Sequence, residues 1–308
     1  MKKNIKYILP LMLLALGLTS CDKDEIKSES VITVDSYVQN DFDKWLEANY
    51  VNPYNIAFKY RYEEIESDYN YYTVPAQMEE SVIMAHLVKY LCIETYNEVA
   101  GIEFTRKNFP KMFYLIGTWE FRNNGSFILG TAEGGKKILL AGINELSTHL
   151  GSAEELNFYY IKTIHHEFTH ILNQTQDFPT SFREVTGASY VSDSQFSEPF
   201  VSVYLSRGFI SAYAQTNAVE DFAEMMSEYV THTPEWWEAQ LKAADTMYAD
   251  DINQTETGRS LIEQKLDIVR AYMSDTWNID MDELRDCILR RQANITDGLV
   301  DLTDLTVE

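Results

Sequence analysis

Along residues 160–172 the apolar side chains Tyr160, Ile161, Ile164, Phe168, Ile171 and Leu172 fall on one side of a wheel that turns about 100° per residue. That period predicts an amphipathic helix ending near Asn173. The same spacing predicts helices over 78–99, 198–208, 217–230, 261–275 and 281–291, the first with apolar positions at Val82, Leu87, Leu91 and Tyr96. Short apolar or aromatic runs at 55–62, 112–119, 126–129 and 137–141 read as strands. Asn123-Asn124-Gly125, between the second and third of these runs, is a hairpin signal. Residues 181–195 read as an irregular connection, and those after Asn294 as a weakly ordered acidic tail.

Strands thus gather before about residue 150 and helices after it. The expected fold class is α+β, with an N-terminal mixed α/β lobe over 31–150 that holds a small sheet and a mainly helical lobe over 151–308. With 45% apolar residues the chain can bury a core without a disulfide framework. Beyond the leader only Cys92 and Cys287 remain, one possible pair.

The leader itself runs from Met1-Lys2-Lys3 through an apolar stretch at 8–18 to Leu18-Thr19-Ser20-Cys21. A charged start, a short apolar run and small residues before a cleavage point predict a signal peptide over 1–20, too short for a spanning helix. The junction resembles a bacterial lipobox, which implies lipidation of Cys21; a secreted or uncleaved form is the other reading. Asp22-Lys23-Asp24-Glu25 resembles the acidic export tag of Bacteroidetes surface lipoproteins, and a flexible charged tether has the same composition. Either way residues 21–30 are a linker. The formal charge of −23 argues against nucleic acid and against an anionic membrane face, so membrane attachment falls to the lipid alone.

Chemistry enters at His166-Glu167-Phe168-Thr169-His170. Two histidines four apart share one helix face, here nearly opposite the apolar stripe, and can hold a metal ion while Glu167 reaches its water. A single histidine there would read as an ordinary exposed residue, whereas the pair around a glutamate is specific. His165 lies off that face and reads as structural or as a support to the ligands; His86, His149 and His232 have no ligand spacing. Residues 130–137 nearly spell a phosphate-binding loop, but Lys137 stands where Ser or Thr must be and a strand follows where a helix should. They read as a glycine-rich turn, and the strand at 137–141 as an edge beside the metal helix where an extended substrate could pair.

A third ligand is sought on the helix near Asn217, whose apolar stripe is Val219, Phe222, Ala223, Met226, Tyr229 and Val230. Asp221 and Glu228 lie opposite that stripe and read as a solvated face. Glu220 flanks it, with Glu224 one turn later. A ligand held between packed helices belongs at the stripe's edge, so Glu220 is the expected third ligand and Glu224 the residue that orients a ligating histidine or the helix.

The segment from Tyr213 through Glu220 to Glu224 resembles the tyrosine-to-glutamate segment of the lethal-factor type of gluzincin metalloprotease. The resemblance implies Tyr213 as a transition-state hydrogen-bond donor and Glu220 as a ligand. More of the chain, from the lipobox through Pro53-Tyr54-Asn55-Ile56, Gly134-Gly135-Lys136-Lys137 and His165 to Glu224, resembles the Bacteroidetes zinc metallohydrolase lipoproteins associated with SusC/SusD-type substrate import. That likeness implies a zincin-like metallopeptidase fold with its active-site cleft between the lobes. It also implies an outer-membrane lipoprotein, on the cell surface or on the periplasmic face. The stretch from His170 to Glu220 is longer than in thermolysin-like enzymes.

Two imidazoles and one carboxylate suit Zn2+ better than magnesium or calcium. The leading expectation is a zinc-dependent hydrolase of peptide or protein amide bonds, with Glu167 as general base. A second reading is an accessory or binding lipoprotein of a SusC/SusD-type uptake complex with a structural or vestigial zinc; a third is a hydrolase of glycan-linked peptides. The 20 tyrosines suit sugar stacking or an ordinary core, and the core is the simpler account.

Overall fold

The computed structural model describes residues 38–307, apart from 69, 122–126, 134–135, 193–196 and 252–253. The leader, Cys21 and the acidic tether lie outside the described residues, as do Gly134 and Gly135 of the glycine-rich turn.

Four strands form the main sheet: β1 (Ala57–Lys59), β2 (Met112–Leu115), β5 (Gly130–Glu133) and β6 (Lys137–Leu140), in the order β1-β2-β6-β5. The first three in that order run parallel, with Ala57 opposite Met112 and Phe113 opposite Ile138. Parallel strands buried on both faces read as unbroken apolar runs, and Phe113, Tyr114 and Leu115 are accordingly fully buried, as are Ile138 and Leu140. β5 turns back antiparallel to β6, Gly130 opposite Leu140 and Glu133 opposite Lys137. The strand at 137–141 is therefore interior, and the edge belongs to β5. The stretch at 130–137, expected as a glycine-rich turn, thus supplies strand β5 at Gly130–Glu133, and its glycines do not reveal which arm of the hairpin finds a further partner. Glu120–Phe121 (β3) and Phe127–Ile128 (β4) pair antiparallel as a separate ribbon, so the first arm lies just after the run at 112–119, whose strand β2 joins the main sheet instead; Asn123-Asn124-Gly125 lie outside the described residues.

The predicted helix over 78–99 is continuous but not uniform. It consists of α1 (Met78–Leu87), a π-helical stretch (Val88–Ile93) and α2 (Glu94–Ala100). Its inner face, with Leu87, Val88, Leu91, Cys92 and Tyr96, is completely buried. A second such element starts where the Ser152 hydroxyl caps Ala153–Leu156, passes through a π-helical stretch at Asn157–Ile161, and becomes α3 (Lys162–Thr175). The apolar stripe of α3 packs as its spacing predicted: Phe168 stands edge-on to Tyr96 at 4.9 Å and to Phe109 at 5.0 Å.

The helical half continues with α4 (Ala218–Thr231), α5 (Pro234–Ala243), α6 (Gly258–Trp277) and α7 (Met281–Thr296). Phe178, Phe182, Phe222 and Tyr272 interlock between α4 and α6, their rings 4.6 to 5.7 Å apart. Three expectations change here. Residues 198–208 yield only a short helix at Phe200–Val203 and a single turn at Leu205–Arg207, while the supposedly irregular stretch holds a helix at Thr180–Val185. The chain after Asn294 is ordered, because Val300, Leu302 and Leu305 pack onto the core and the Asp304 carbonyl lies 3.0 Å from His86 Nε2. Cys92 and Cys287 are both buried and free. Asn40–Glu308 cluster as one unit, and no helix among the described residues is long and apolar enough to cross a membrane.

Candidate metal centre

Sequence spacing puts His166 and His170 on one face of α3, and tertiary packing lays α4 against that face. Asn217 makes the second helix start where it must: its side chain accepts hydrogen bonds from the backbone N–H groups of Val219 (2.9 Å) and Glu220 (3.0 Å). Glu220 then stands in the first turn. Its Oε2 lies 3.0 Å from His166 Nε2 and 3.1 Å from His170 Nε2, and the two Nε2 atoms are 3.0 Å apart. His166, His170 and Glu220 are the one group among the described residues whose donor atoms converge closely enough to hold a metal ion.

The fit to zinc can be tested on these distances. Ligands at ~2.0–2.1 Å around a tetrahedral ion stand about 3.3 Å from each other. A triangle of two imidazole nitrogens and one carboxylate oxygen with edges of 3.0 to 3.1 Å matches that cage in size and in donor chemistry.

Electrostatics point the same way. Burial alone would lower the His166 pKa, but Glu220 and Glu224 outweigh it and raise it to about 10. Burial would raise that of Glu220, yet the two histidines hold it down at about 2. The protein has thus gathered negative charge where a cation would bind.

Behind His166 lies Glu224, one turn after Glu220 and only 2 % exposed. Its Oε1 is 2.8 Å from His166 Nδ1, a short contact though not aligned as a linear hydrogen bond. Glu224 thus stands against the Nδ1 side of His166. Two residues the sequence did not single out hold it there. Lys162 Nζ donates to both Glu224 oxygens (3.2 and 3.1 Å) and to Glu228 (3.1 Å), and the Ser211 hydroxyl donates to Glu224 Oε2 at 2.6 Å. Lys162 had a signal, since it sits four residues before His166 and so shares its face. Ser211 had none.

The face of α4 that carries Asp221 and Glu228 is not solvated. Asp221 is fully buried, paired with Lys265 Nζ at 2.5 Å and accepting from the Tyr190 hydroxyl at 2.8 Å; Glu228 is buried against Lys162 and 3.1 Å from His232 Nδ1. A wheel shows which residues oppose the apolar stripe, but not that further helices cover them with cations.

Glu167 is half-buried beside His166, whose protonation it favours. Tyr213 begins a short helical turn (Tyr213–Thr216), is 45 % exposed, and its ring centre lies 6.1 Å from that of His166. His170, Glu220, Glu167 and Tyr213 are all partly exposed, while His166 and Glu224 lie deeper, so the donor triangle opens to solvent on one side. His165 faces away from it: fully buried, it hydrogen bonds Tyr96 through Nδ1 (3.0 Å), and burial lowers its pKa to about 3, keeping it neutral. It is a core residue. The other three are half-buried and stack on aromatic rings, His86 on Trp45, His149 on Tyr159 and His232 on Trp236.

The edge strand completes the surroundings. β5 lies against α3 so closely that a Cβ on Gly130 would sit 2.8 Å from Thr163 Cγ2 and 2.6 Å from the Leu139 carbonyl oxygen. Only glycine fits there.

Comparison with known proteins agrees with this arrangement. Residues 35–282 match a family model described as "Putative zinc-binding metallo-peptidase". The crystal structure of a putative zinc-binding metallo-peptidase from Bacteroides caccae superposes with a TM-score of 0.70 at 37% identity, covering 86% of this chain and 96% of that one. No match is found among curated proteins. A family model that spans most of the chain, and a solved fold that spans nearly all of its relative, show that the protein belongs to this family of zinc-binding metallo-peptidases.

Proposed function

We propose that the protein is a zinc-dependent peptidase that hydrolyses amide bonds, with His166, His170 and Glu220 holding the ion. The observation that carries the reading is the triangle of three donor atoms 3.0 to 3.1 Å apart, open on one side. Zinc, when bound, supplies Lewis acidity and brings the pKa of a water toward ~7.

The chain's own groups do the rest. Glu167 takes the proton of the attacking water and delivers it to the leaving amine, a role worth about 10²–10⁴ in rate. The Tyr213 hydroxyl donates to the oxyanion that develops as water adds. β5, an edge strand alongside α3, is placed for an extended peptide to add to the sheet, which favours a peptide over a compact substrate.

For location we infer an outer-membrane lipoprotein anchored through Cys21 and exposed at the cell surface. The lipobox-like junction and the acidic residues after it support this, and an association with a SusC/SusD-type uptake complex follows from the same likeness. The experiment compares wild type, Glu167→Gln and the His166→Ala/His170→Ala double variant for zinc content and for cleavage of a peptide library. Wild type should hold one zinc and cleave, Glu167→Gln should hold zinc and lose about 10²–10⁴ in rate, and the double variant should lose both. Zinc retained by the double variant would sink the metal assignment. Equal cleavage by wild type and Glu167→Gln, or none by either, would favour the accessory-protein reading.

A further inference from the structure

Lys162 precedes His166 by one turn of α3. Its side chain is 19% exposed, and its ammonium meets two carboxylates that are nearly sealed from water, Glu224 (3% exposed) and Glu228 (10%). Three N–H groups meet three oxygens at 3.1 to 3.2 Å. A carboxylate as buried as Glu224 needs an opposite charge to compensate its lost hydration. Lys162 is the fixed cation that does so; the Ser211 hydroxyl adds a hydrogen bond but no charge.

The consequence reaches His166 through Glu224. For His166 Nε2 to present a lone pair to a metal, its proton must reside on Nδ1, and the nearest acceptor is Glu224 Oε1 at 2.8 Å. The same carboxylate reaches the turn that carries Tyr213, because Ser211 Oγ donates to Glu224 and accepts from the Ala214 N–H at 3.1 Å.

We propose that Lys162 is a positioning residue for the zinc site, acting through Glu224 to fix the orientation and tautomer of His166. This rests on the reading of His166, His170 and Glu220 as the zinc ligands.

The test is zinc affinity, measured on the full chain by competition with a chelator of known strength, so it does not depend on turnover. Lys162→Met and Glu224→Gln should each weaken zinc by about 10–100-fold, the range of lost outer contacts to a ligating histidine. Their double variant should be no weaker than the worse single one, because the two act in series. Lys162→Arg should bind close to wild type. Circular dichroism confirms folding first, and if the methionine variant is unfolded, Lys162→Gln takes its place under the same criteria. A folded, uncharged variant that binds zinc as tightly as wild type would overturn the proposal, as would losses that multiply in the double variant. Zinc held equally by wild type and His166→Ala would overturn the underlying site as well, which separates the two failures.

Discussion

His232 and Glu228 meet where α4 ends, with Nδ1 3.1 Å from a Glu228 oxygen and the imidazole stacked on Trp236. Burial lowers the His232 pKa to about 4. Its folded value lies below the unfolded one of ~6.5, so its contribution to stability is present above that pH and is lost as pH falls through the folded pKa. Glu228 runs the other way. Burial, opposed by Lys162 and reinforced by Glu224, holds its pKa well above the carboxylate range, so its contribution is present at low pH and fades as pH rises. In wild type the two slopes offset each other. Glu228→Gln removes one of them, and its denaturation midpoint should fall more steeply than that of wild type on acidification from about pH 6.5 to 4. Equal slopes would contradict the assignment. At this scale the sequence was readable where local spacing decides geometry. His166 and His170 share a face because a helix repeats every 3.6 residues. Glu228 and Asp221 were misread because their surroundings come from α3 and α6, distant in sequence.

Among the elements, α4 is the one whose start matters most. Its N-cap Asn217 satisfies two backbone donors of the first turn, one of them belonging to Glu220 itself. Asn217→Ala should cost about 0.5–2 kcal/mol in unfolding free energy and, by fraying the turn that holds Glu220, weaken zinc binding. Denaturant titration and chelator competition read the two effects; unchanged values in both would refute the role given to the cap. Long amphipathic helices were legible because they repeat their pattern over several turns, and both sheet-forming runs that became β2 and β6 were legible as strands. Their order was not. An apolar run states that both faces are covered, but β6 is interior only because β5 folds back on it, and that depends on pairing across a turn. The stretch at 198–208 failed for another reason: Leu205 packs on the core while Phe200 lies 4.6 Å from the Arg207 guanidinium, and Gly208 at positive φ ends the last turn, so no continuous helical seam forms.

Across the whole molecule, the ion pair of Lys265 on α6 with Asp221 on α4 joins two helices with both side chains fully buried. The Lys265 ammonium also lies 4.0 Å from the centre of the Phe209 ring and donates to the Gly208 carbonyl at 2.9 Å. Removing one partner strands a charge in the core. Lys265→Met should destabilise the fold by about 3–5 kcal/mol in denaturant unfolding, and a loss near zero would show that Asp221 is compensated elsewhere. Short-range periodicity and side-chain type were enough to show which residues can form helices, which face of α3 bears the histidines, and that the donor chemistry suits zinc. Packing between distant segments brings Glu220, expected from its place on α4, up to the histidines, sets Lys162 and Ser211 against Glu224, makes β5 the edge strand, and lays the last residues on the core. Those are contacts between segments far apart along the chain, and no local period encodes which distant surface will cover a given face.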